Sequence, residues 1–285
     1  MTGDAGLTAD ADLAEAAAEL LAIACSAAVA AGELLVPGSG RTTVVATKSS
    51  PTDVVTEMDR AAEELIRGRI LAVRPGDAIL GEEGGQIGGR ASGVRWIVDP
   101  LDGTVNYLYG LPDWSVSIAA EIDGAVVAGA VFAPRRGSLF GAQLGGGAWL
   151  RSGAASAPPQ QLACNAGVPL ARALVATGFG YETGRREIQG QVLSSVLPRV
   201  RDIRRGGSCA VDLCSLASGG VDAYYERGVQ SWDIAAGGLI AREAGAVVAG
   251  LEGRPASPSM TVAAAPALFA DLHDLLVSLD PERDA

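Results

Sequence analysis

Apolar and polar positions along the chain switch between a helical and a strand period, which predicts a mixed α/β protein without internal repeats. An alanine-rich helix is expected first, over residues 13–35, ending at Pro37-Gly38. Thr56 and Asp59 have the spacing of a helix N-cap and its partner, so a second helix is expected from there to about residue 73. Residues 116–121 and 126–132 alternate around a turn and predict a hairpin.

Later segments alternate strand and helix, as in a layered α/β unit. Strands are expected at residues 42–47, 78–80, 96–98, 174–177, 223–225 and 261–264 and near 203, and helices at residues 185–200, from 208, from 231 and up to 279. The glycine-rich stretch at residues 84–93 is predicted to be a surface loop. Pro158-Pro159 marks the junction between an N-terminal α+β half, residues 1–157, and a C-terminal α/β half, residues 158–285, which together form one compact unit.

Composition narrows the class of protein. The 285 residues are 48% hydrophobic and 19% charged, enough for a substantial core. A net charge of -11 disfavours nucleic acid or an anionic membrane as a partner. The four cysteines show no C-x-x-C spacing and are interpreted as reduced thiols of a cytoplasmic protein. The first helix is long enough to span a membrane, but Glu15, Glu19 and Glu33 interrupt it, so an amphipathic helix of a soluble protein is expected.

The segment WIVDPLDGTVNY, residues 96–107, offers the first candidate chemistry. Asp99 follows a buried strand, Pro100 is expected to end the hydrogen-bonded ladder, and Asp102 follows closely. Two acids so close repel each other and raise each other's pKa unless a cation lies between them. The alternative to a metal site is that this segment forms an Asp-Pro turn followed by a helix N-cap.

Other acids occupy similar places at strand ends or helix starts. Glu82 and Glu83 end one strand, Glu226 ends another, and Asp233 opens a helix. Each alone also fits a solvated turn or a favourable charge at a helix N-terminus. Oxygen ligands without a His or Cys cluster favour magnesium or manganese over zinc. The sole histidine, His273, is predicted to be structural.

Several motifs resemble those of the inositol monophosphatase family of lithium-sensitive, magnesium-dependent phosphomonoesterases, and they follow one another in the order found in that family. The matching segments are residues 48–59 (KSSPTDVVTEMD), 81–83 (GEE), 96–107, 206–213 (GGSCAVDL), 222–228 (DAYYERG) and 232–245 (WDIAAGGLIAREAG). The resemblance implies a five-layer αβαβα sandwich of the inositol monophosphatase/fructose bisphosphatase type. It also implies a homodimer, with the site between the two halves of each chain.

The resemblance further implies two or three Mg²⁺ ions, which Mn²⁺ could replace. Glu82, Asp99 and the carbonyl of Leu101 would hold the first ion, and Asp99, Asp102 and Asp233 the second. Glu82 would also position a third, weaker ion or its water. Such ions activate a water and clamp the attacking and leaving oxygens.

Catalytic and substrate roles are implied in the same way. Thr104 would orient the water and relay its proton to Asp53, with no phosphoenzyme. The backbone N–H groups of Gly103 and Thr104 would cradle the phosphate. The alcohol portion would contact Gly207, Ser208, Cys209 and Glu226. Lys48 falls on the family's lysine position near the metals, although a solvated loop charge is the alternative.

Two other phosphate chemistries fit less well. A haloacid-dehalogenase-type phosphatase uses D-x-D, whereas two residues separate Asp99 from Asp102, which favours attack by water. Residues 178–180, Gly-Phe-Gly after a strand, could indicate a dinucleotide-binding unit. However, Gly184 comes one position too late for the motif G-x-G-x-x-G.

Ser208 could be interpreted as the nucleophile of a serine hydrolase. However, Ala210 replaces the last glycine of the nucleophile elbow, and only His273 is available as a base. The family resemblance implies myo-inositol 1-phosphate or a related polyol or sugar monophosphate as substrate, with lithium acting at the second metal. Fructose 1,6-bisphosphate, histidinol phosphate and a nucleotide 3'-phosphate stay open as alternatives. So does a non-catalytic regulatory or binding role.

Overall fold

The structure is a computed structural model that describes residues 4–41, 44–47, 54–89, 92–153 and 158–284, with side chains described in these ranges except for residues 4–10, 44–47 and 54–55. Its helices are Asp4–Leu35 (α1), Glu57–Val73 (α2), Thr104–Leu108 (α3), Thr183–Val196 (α4), Cys209–Ala217 (α5), Ser231–Glu243 (α6) and Pro266–Leu279 (α7). Its strands are Val44–Thr47 (β1), Val54–Thr56 (β2), Ala78–Gly81 (β3), Gly85–Ile87 (β4), Val94–Asp102 (β5), Ser115–Ile122 (β6), Ala125–Ala133 (β7), Ser138–Gln143 (β8), Gly147–Ser152 (β9), Gln160–Gln161 (β10), Leu174–Thr177 (β11), Asp202–Arg204 (β12), Ala223–Glu226 (β13), Val247–Ala249 (β14) and Thr261–Ala264 (β15).

Two large sheets organise the molecule. The first has the order β10-β9-β8-β7-β6-β5-β3-β4 and is antiparallel except for the parallel pair β3 and β5. The second has the order β12-β11-β13-β15-β14, with β11 parallel to both of its neighbours. A separate pair joins β1 to β2.

The helices pack in three layers around these sheets, so the αβαβα sandwich is confirmed. α1 and α2 cover one face of the first sheet, and α5 and α6 fill the space between the sheets. α4 and α7 cover the outer face of the second sheet. Because α5 and α6 contact both sheets, the two halves of the chain share one interior layer.

Helix α1 contributes a stripe of small and branched apolar residues to the core. Ala17, Leu20, Ala24, Ala28 and Leu35 are all buried, and they pack against α2 and the first sheet. Within the described part of the chain, one helical segment, residues 11–38, is long and apolar enough to cross a membrane. The apolar face of this helix has a partner within the molecule, because it packs against α2 and the first sheet. Burying each leucine there stabilises the fold by about 1.5–3 kcal/mol.

The start of α2 follows the predicted capping pattern. Thr56 Oγ1 accepts hydrogen bonds from the N–H groups of Met58 (3.1 Å) and Asp59 (3.4 Å), and Asp59 Oδ2 accepts from the N–H of Thr56 (2.8 Å). This reciprocal pair satisfies donors that a helix start leaves open. The prediction of a cap at this position is confirmed.

Two local predictions were wrong. The strand that carries Asp99 does not end at Pro100 but continues as β5 to Asp102, because a register shift against β6 accommodates the missing N–H. The glycine-rich stretch at residues 84–93 includes β4, which pairs with β3 through a tight turn. Gly85 has a φ of 63°, which a glycine adopts without strain and which the turn requires.

The proposed junction after residue 157 stays a prediction, and residues 154–157 lie outside the described ranges. Strand β10, just beyond the junction, pairs with β9 and so belongs to the first sheet. The second sheet begins at β11.

Candidate metal centre

Three aspartates from distant parts of the sequence meet at one place. Carboxylate oxygens of Asp99, Asp102 and Asp233 all lie within 4.8 Å of one another. Asp99 and Asp102 come from the end of β5, and Asp233 lies in the first turn of α6. Only oxygen ligands are offered, which suits a hard divalent cation.

The register shift in β5 explains how two of these acids share a face. Residues three apart in a regular strand point to opposite faces of the sheet. Here Asp99 pairs with Ser117 and Asp102 with Ser115, so three steps on β5 match two steps on β6. The extra residue is a bulge, and it turns both carboxylates toward the same site.

Each carboxylate is held by hydrogen bonds from the backbone. The N–H of Leu101 donates to Asp99 Oδ1 (2.9 Å), and the N–H of Ala210 donates to Asp102 Oδ2 (2.8 Å). The N–H of Gln230 donates to Asp233 Oδ2 (2.6 Å). These bonds fix the orientation of the oxygens before any ligand arrives.

Burial and mutual repulsion raise the pKa values of this cluster. The pKa of Asp99 lies well above its usual range because the group is buried and faces Glu82, Asp102 and Asp233. Burial, followed by repulsion from Asp102 and Glu82, likewise raises the pKa of Asp233. Burial raises the pKa of Asp102 to about 6, although the hydrogen bond from Ser208 opposes the shift. A bound cation would remove this repulsion, so the donor set fits a divalent metal.

The cluster opens onto a cavity of about 420 Å³. Glu82, Asp99, Asp102 and Asp233 form one acidic part of its lining. The loop at residues 178–182, which follows β11, forms another part. The volume is within the range of small-molecule sites, so the acids face a space that a small ligand can enter.

Thr104 adjoins the acids at the start of α3. Its hydroxyl lies 3.3 Å from Asp59 Oδ1 and 3.1 Å from the carbonyl oxygen of Leu101. The residue before it, Gly103, has a φ of 91°, and a Cβ there would lie 2.9 Å from the carbonyl oxygen of Asp113. Position 103 therefore requires glycine.

Comparison with known proteins agrees with these observations. The inositol monophosphatase family model matches residues 16–279. The Mycobacterium tuberculosis inositol-1-monophosphatase SuhB is 46% identical over 239 residues, which cover 82% of this chain and 81% of that protein. The chain belongs to the inositol monophosphatase family.

Other relatives and solved structures give the same family. The Pasteurella multocida protein named Nus factor SuhB is 38% identical over 257 residues, covering 89% of this chain and 94% of its own length. The structure of M. tuberculosis SuhB matches with a TM-score of 0.79 and 41% identity, covering 93% of this chain and 98% of that one. The extragenic suppressor protein SuhB of Bartonella henselae gives a TM-score of 0.83 and 34% identity, over 90% of this chain and 98% of that one. Family membership supports a metal-dependent phosphatase with a phosphorylated substrate.

The inositol monophosphatase motifs supply most of the cavity lining. Among the predicted site residues, the structure brings the following into one lining: Glu82, Asp99, Leu101, Asp102, Gly103, Thr104, Gly207, Cys209, Glu226 and Asp233. Asp53 and Lys48 lie outside the described residues, so their predicted roles stay predictions.

Ser208 is buried and does not belong to this lining. Its hydroxyl donates to Asp102 Oδ2 and accepts from the N–H of Val211 (3.2 Å), which makes it the N-cap of α5. It therefore contacts the acidic cluster directly through Asp102, and its predicted contact with the alcohol portion stays a prediction.

Glu226 and Cys209 form a linked part of the lining. The hydroxyl of Tyr224 lies 2.9 Å from Glu226 Oε2 and 3.0 Å from Cys209 Sγ. Burial raises the pKa of Glu226 to about 7 and that of Cys209 well above its usual range. The thiol is therefore neutral, and Glu226 changes charge near neutral pH.

Sequence reasoning missed two kinds of site residue. Asp59 was interpreted only as a helix cap, yet its second oxygen faces Thr104; its place in the motif of residues 48–59 was the available signal. Arg185 and Arg205 line the cavity but belong to no motif that indicated them. Arg205 acts electrostatically on Asp102 and Glu226 and opposes the rise that burial causes in the pKa of both.

The rejected serine hydrolase mechanism also lacks its base. His273 lies in α7, where it stacks on Phe269 with ring centroids 5.9 Å apart. Its Nε2 accepts a hydrogen bond from the N–H of Glu252 (2.9 Å). His273 thus connects α7 to the turn at Glu252, in agreement with the structural role expected for it.

Proposed function

We propose that this protein is a magnesium-dependent phosphomonoesterase that hydrolyses myo-inositol 1-phosphate and related polyol or sugar monophosphates. Water attacks phosphorus in line, the P–O bond to the alcohol breaks, and inorganic phosphate and the free alcohol leave. The observation that carries this proposal is the cluster of Asp99, Asp102 and Asp233 within 4.8 Å, at the wall of a cavity of about 420 Å³.

Two or three Mg²⁺ ions fit this donor set, with Mn²⁺ as a substitute. Glu82, Asp99 and the carbonyl of Leu101 would hold one ion, and Asp99, Asp102 and Asp233 another, with Glu82 near a third. When bound, such ions lower the pKa of water and stabilise charge on the attacking and leaving oxygens. The hydrogen bonds from Leu101, Ala210 and Gln230 keep the carboxylate oxygens in place for this role.

The proton of the attacking water goes toward Thr104 and a carboxylate. Among the described residues, Asp59 is a carboxylate within reach, because its Oδ1 lies 3.3 Å from Thr104 Oγ1. Thr104 can pass its own proton to Asp59 as it accepts one from water, so the pair acts as a general base. The role predicted for Asp53 remains the alternative.

Phosphate and alcohol would occupy different parts of the cavity. The N–H groups of Gly103 and Thr104, beside the acids, suit phosphate oxygens. Gly207, Cys209 and Glu226 suit the alcohol portion, with Glu226 accepting hydrogen bonds from hydroxyl groups. Ser208 acts indirectly, through its hydrogen bond to Asp102.

A phosphatase screen tests the proposal. Purified protein is assayed on inositol, fructose, histidinol and nucleotide phosphates at several magnesium concentrations and in EDTA. We expect magnesium-dependent release of phosphate, fastest with myo-inositol 1-phosphate and inhibited by lithium but not by matched sodium. Hydrolysis that persists in EDTA, or none on any of these compounds, would contradict the proposal.

A specific observation favours one alternative substrate, fructose 1,6-bisphosphate. Arg185 and Arg205 both line the cavity. A guanidinium binds the second phosphate of a bisphosphate more strongly than it binds the hydroxyl group of a monophosphate. Arg185 is partly engaged by Glu182 (3.3 Å). If the second phosphate binds here, Arg205→Ala lowers kcat/KM about tenfold or more for the bisphosphate and little for the monophosphate, as expected for loss of a charge-assisted hydrogen bond. An equal effect on both substrates would count against this alternative.

A binding or regulatory role without catalysis is the second alternative. The relatives from P. multocida and Vibrio cholerae carry the name Nus factor SuhB. The assembled acids and Thr104 favour catalysis, and the EDTA arm of the screen separates the two roles. A homodimer and a cytoplasmic location are further expectations; sedimentation of the purified protein tests the first and cell fractionation the second.

A further inference from the structure

The turn after β3 carries Glu82 and is held from behind by a buried carboxylate on α2. Glu63 Oε2 accepts a hydrogen bond from the N–H of Glu83 (2.8 Å), and Glu63 Oε1 accepts from the N–H of Gly84 (2.9 Å). Glu63 is 2% exposed. One carboxylate therefore holds two successive peptide groups of the turn.

Arg67, one helical turn further along α2, completes this contact. Its Nη2 lies 3.1 Å from Glu63 Oε1 and donates to the carbonyl oxygen of Gly85 (3.2 Å). A buried carboxylate is stable only when charge and hydrogen bonds compensate for its lost hydration. Two N–H groups and a guanidinium supply that compensation, and Arg67 spans from the carboxylate to the far side of the turn.

Two glycines make this approach possible. A Cβ on Gly81 would lie 2.5 Å from Glu63 Oε2, and a Cβ on Gly84 would overlap the guanidinium of Arg67. Neither glycine has a positive φ, so backbone conformation does not explain them. The close contact of Glu63 and Arg67 with the turn explains why these two positions are glycine, since a side chain would not fit there.

The held turn lies directly beside the metal cluster. The N–H of Glu82 donates to the carbonyl oxygen of Val98 (3.2 Å), the residue before Asp99, and the side chain of Glu82 lines the cavity. Glu82 also acts electrostatically on Asp99 and Asp233. A shift of the turn would therefore move a predicted metal ligand relative to the other acids.

We infer that Glu63, supported by Arg67, is a positioning residue that fixes Glu82 for metal binding. The inference rests on the proposed function only in taking Glu82 as a metal ligand. Glu63 does not line the cavity and touches no reacting atom. Its effect is to keep the Glu82 carboxylate at the distance and angle that the ion needs, as outer hydrogen-bond partners do in other metal sites.

Direct titration of EDTA-treated, dialysed protein with Mn²⁺ or Mg²⁺ by calorimetry tests the inference. Glu63→Gln keeps the shape but loses the charge and turns an NH₂ group toward a backbone donor. We expect at least one ion to bind about tenfold more weakly, within the 10- to 100-fold effect of outer-shell changes, with kcat at saturating metal nearly unchanged. The neighbouring Glu64 is exposed, so Glu64→Gln is the matched control and should bind metal as the parent protein does.

Metal affinity equal to that of the parent in a folded Glu63→Gln protein would overturn the inference. So would a fall in kcat at saturating metal with unchanged affinity. If Glu63→Gln does not fold, Arg67→Gln takes its place, with a smaller loss of affinity expected and the same contradicting results. Because binding is measured without substrate, a parent protein that binds metal but hydrolyses nothing would refute the proposed function and leave this test intact.

Discussion

The hydroxyl of Thr104 lies 3.3 Å from Asp59 Oδ1, which joins the start of α3 to the first turn of α2. The other carboxylate oxygen of Asp59 accepts the N–H of Thr56 and caps the helix. One side chain thus serves two structures at once. The cap holds Asp59 rigidly, so that its Oδ1 faces Thr104 in a fixed position.

Substitutions at these positions should separate a catalytic from a structural role. We expect Thr104→Val to lower kcat by about 10²–10⁴-fold with little change in KM, because the hydroxyl that passes the proton is lost. Thr104→Ser keeps the hydroxyl and should retain most of the activity. Steady-state kinetics at saturating magnesium measure both. Equal activity of the valine and serine variants would rule out the proton role.

The partner of Thr104 can be identified in the same assay. Asp59→Asn keeps an oxygen for the cap but cannot take a proton, so kcat should fall as far as in Thr104→Val. Asp53→Asn should have the smaller effect if Asp59 is the base. If Asp53→Asn lowers kcat more than Asp59→Asn does, Asp53 is the general base and the proposal for Asp59 is wrong.

Asp212 should make the stability of the protein depend on pH. Burial, followed by repulsion from Glu226 and Asp102, raises the pKa of Asp212 to about 8, from about 3.9 in an unfolded chain. The folded state then holds a proton that the unfolded state has lost, so this contribution is full below about pH 4 and disappears as pH rises toward 8.

The measurement is urea unfolding of the EDTA-treated protein between pH 5 and 8. We expect the free energy of unfolding to fall with rising pH, and Asp212→Asn to reduce the slope by up to about 1.4 kcal/mol per pH unit. The exposed Asp202, whose pKa is lowered by its hydrogen bond with Arg204, offers Asp202→Asn as a control. An unchanged slope in Asp212→Asn would show that this group does not titrate in the window.

Glu226 should govern the choice of alcohol more than the rate of P–O cleavage. It lines the cavity, accepts from Tyr224 and has a pKa of about 7, so it offers hydroxyl groups a strong acceptor above that pH. Glu226→Gln should change the ratio of kcat/KM between myo-inositol 1-phosphate and a simple phosphate such as p-nitrophenyl phosphate by roughly 10-fold, the scale of one hydrogen bond to a charged group. A ratio equal to that of the parent would remove Glu226 from the alcohol site.

Much of the metal cluster could be predicted from residue types and order. Asp99, Asp102 and Asp233 carry motif signals, and acids at strand ends and helix starts tend to meet at one edge of a sheet. The bulge that turns Asp99 and Asp102 to the same side could not be predicted, because the strand was expected to end at Pro100. Register depends on the partner strand, which local sequence does not specify.

The missed features have two physical origins. Asp59 already satisfied a local pattern, so its second contact, 45 residues away in sequence, left no further signal. Arg205 lines the cavity only because the second sheet packs against α5 and α6, which is a tertiary relationship. The strand β4 was hidden by glycines, which weaken strand propensity but permit the tight turn from β3. Long-range packing determined the first two, whereas β4 depends on a local turn.

The central claim is that the aspartate cluster is a metal site for phosphate ester hydrolysis. The most direct measurement is phosphate release from myo-inositol 1-phosphate by EDTA-treated protein before and after addition of Mg²⁺, in the parent and in Asp99→Asn and Asp233→Asn. We predict no hydrolysis without the metal, full recovery with it in the parent, and none in either variant although both fold. Retained magnesium-dependent activity in either variant, or metal-independent activity in the parent, would contradict the account.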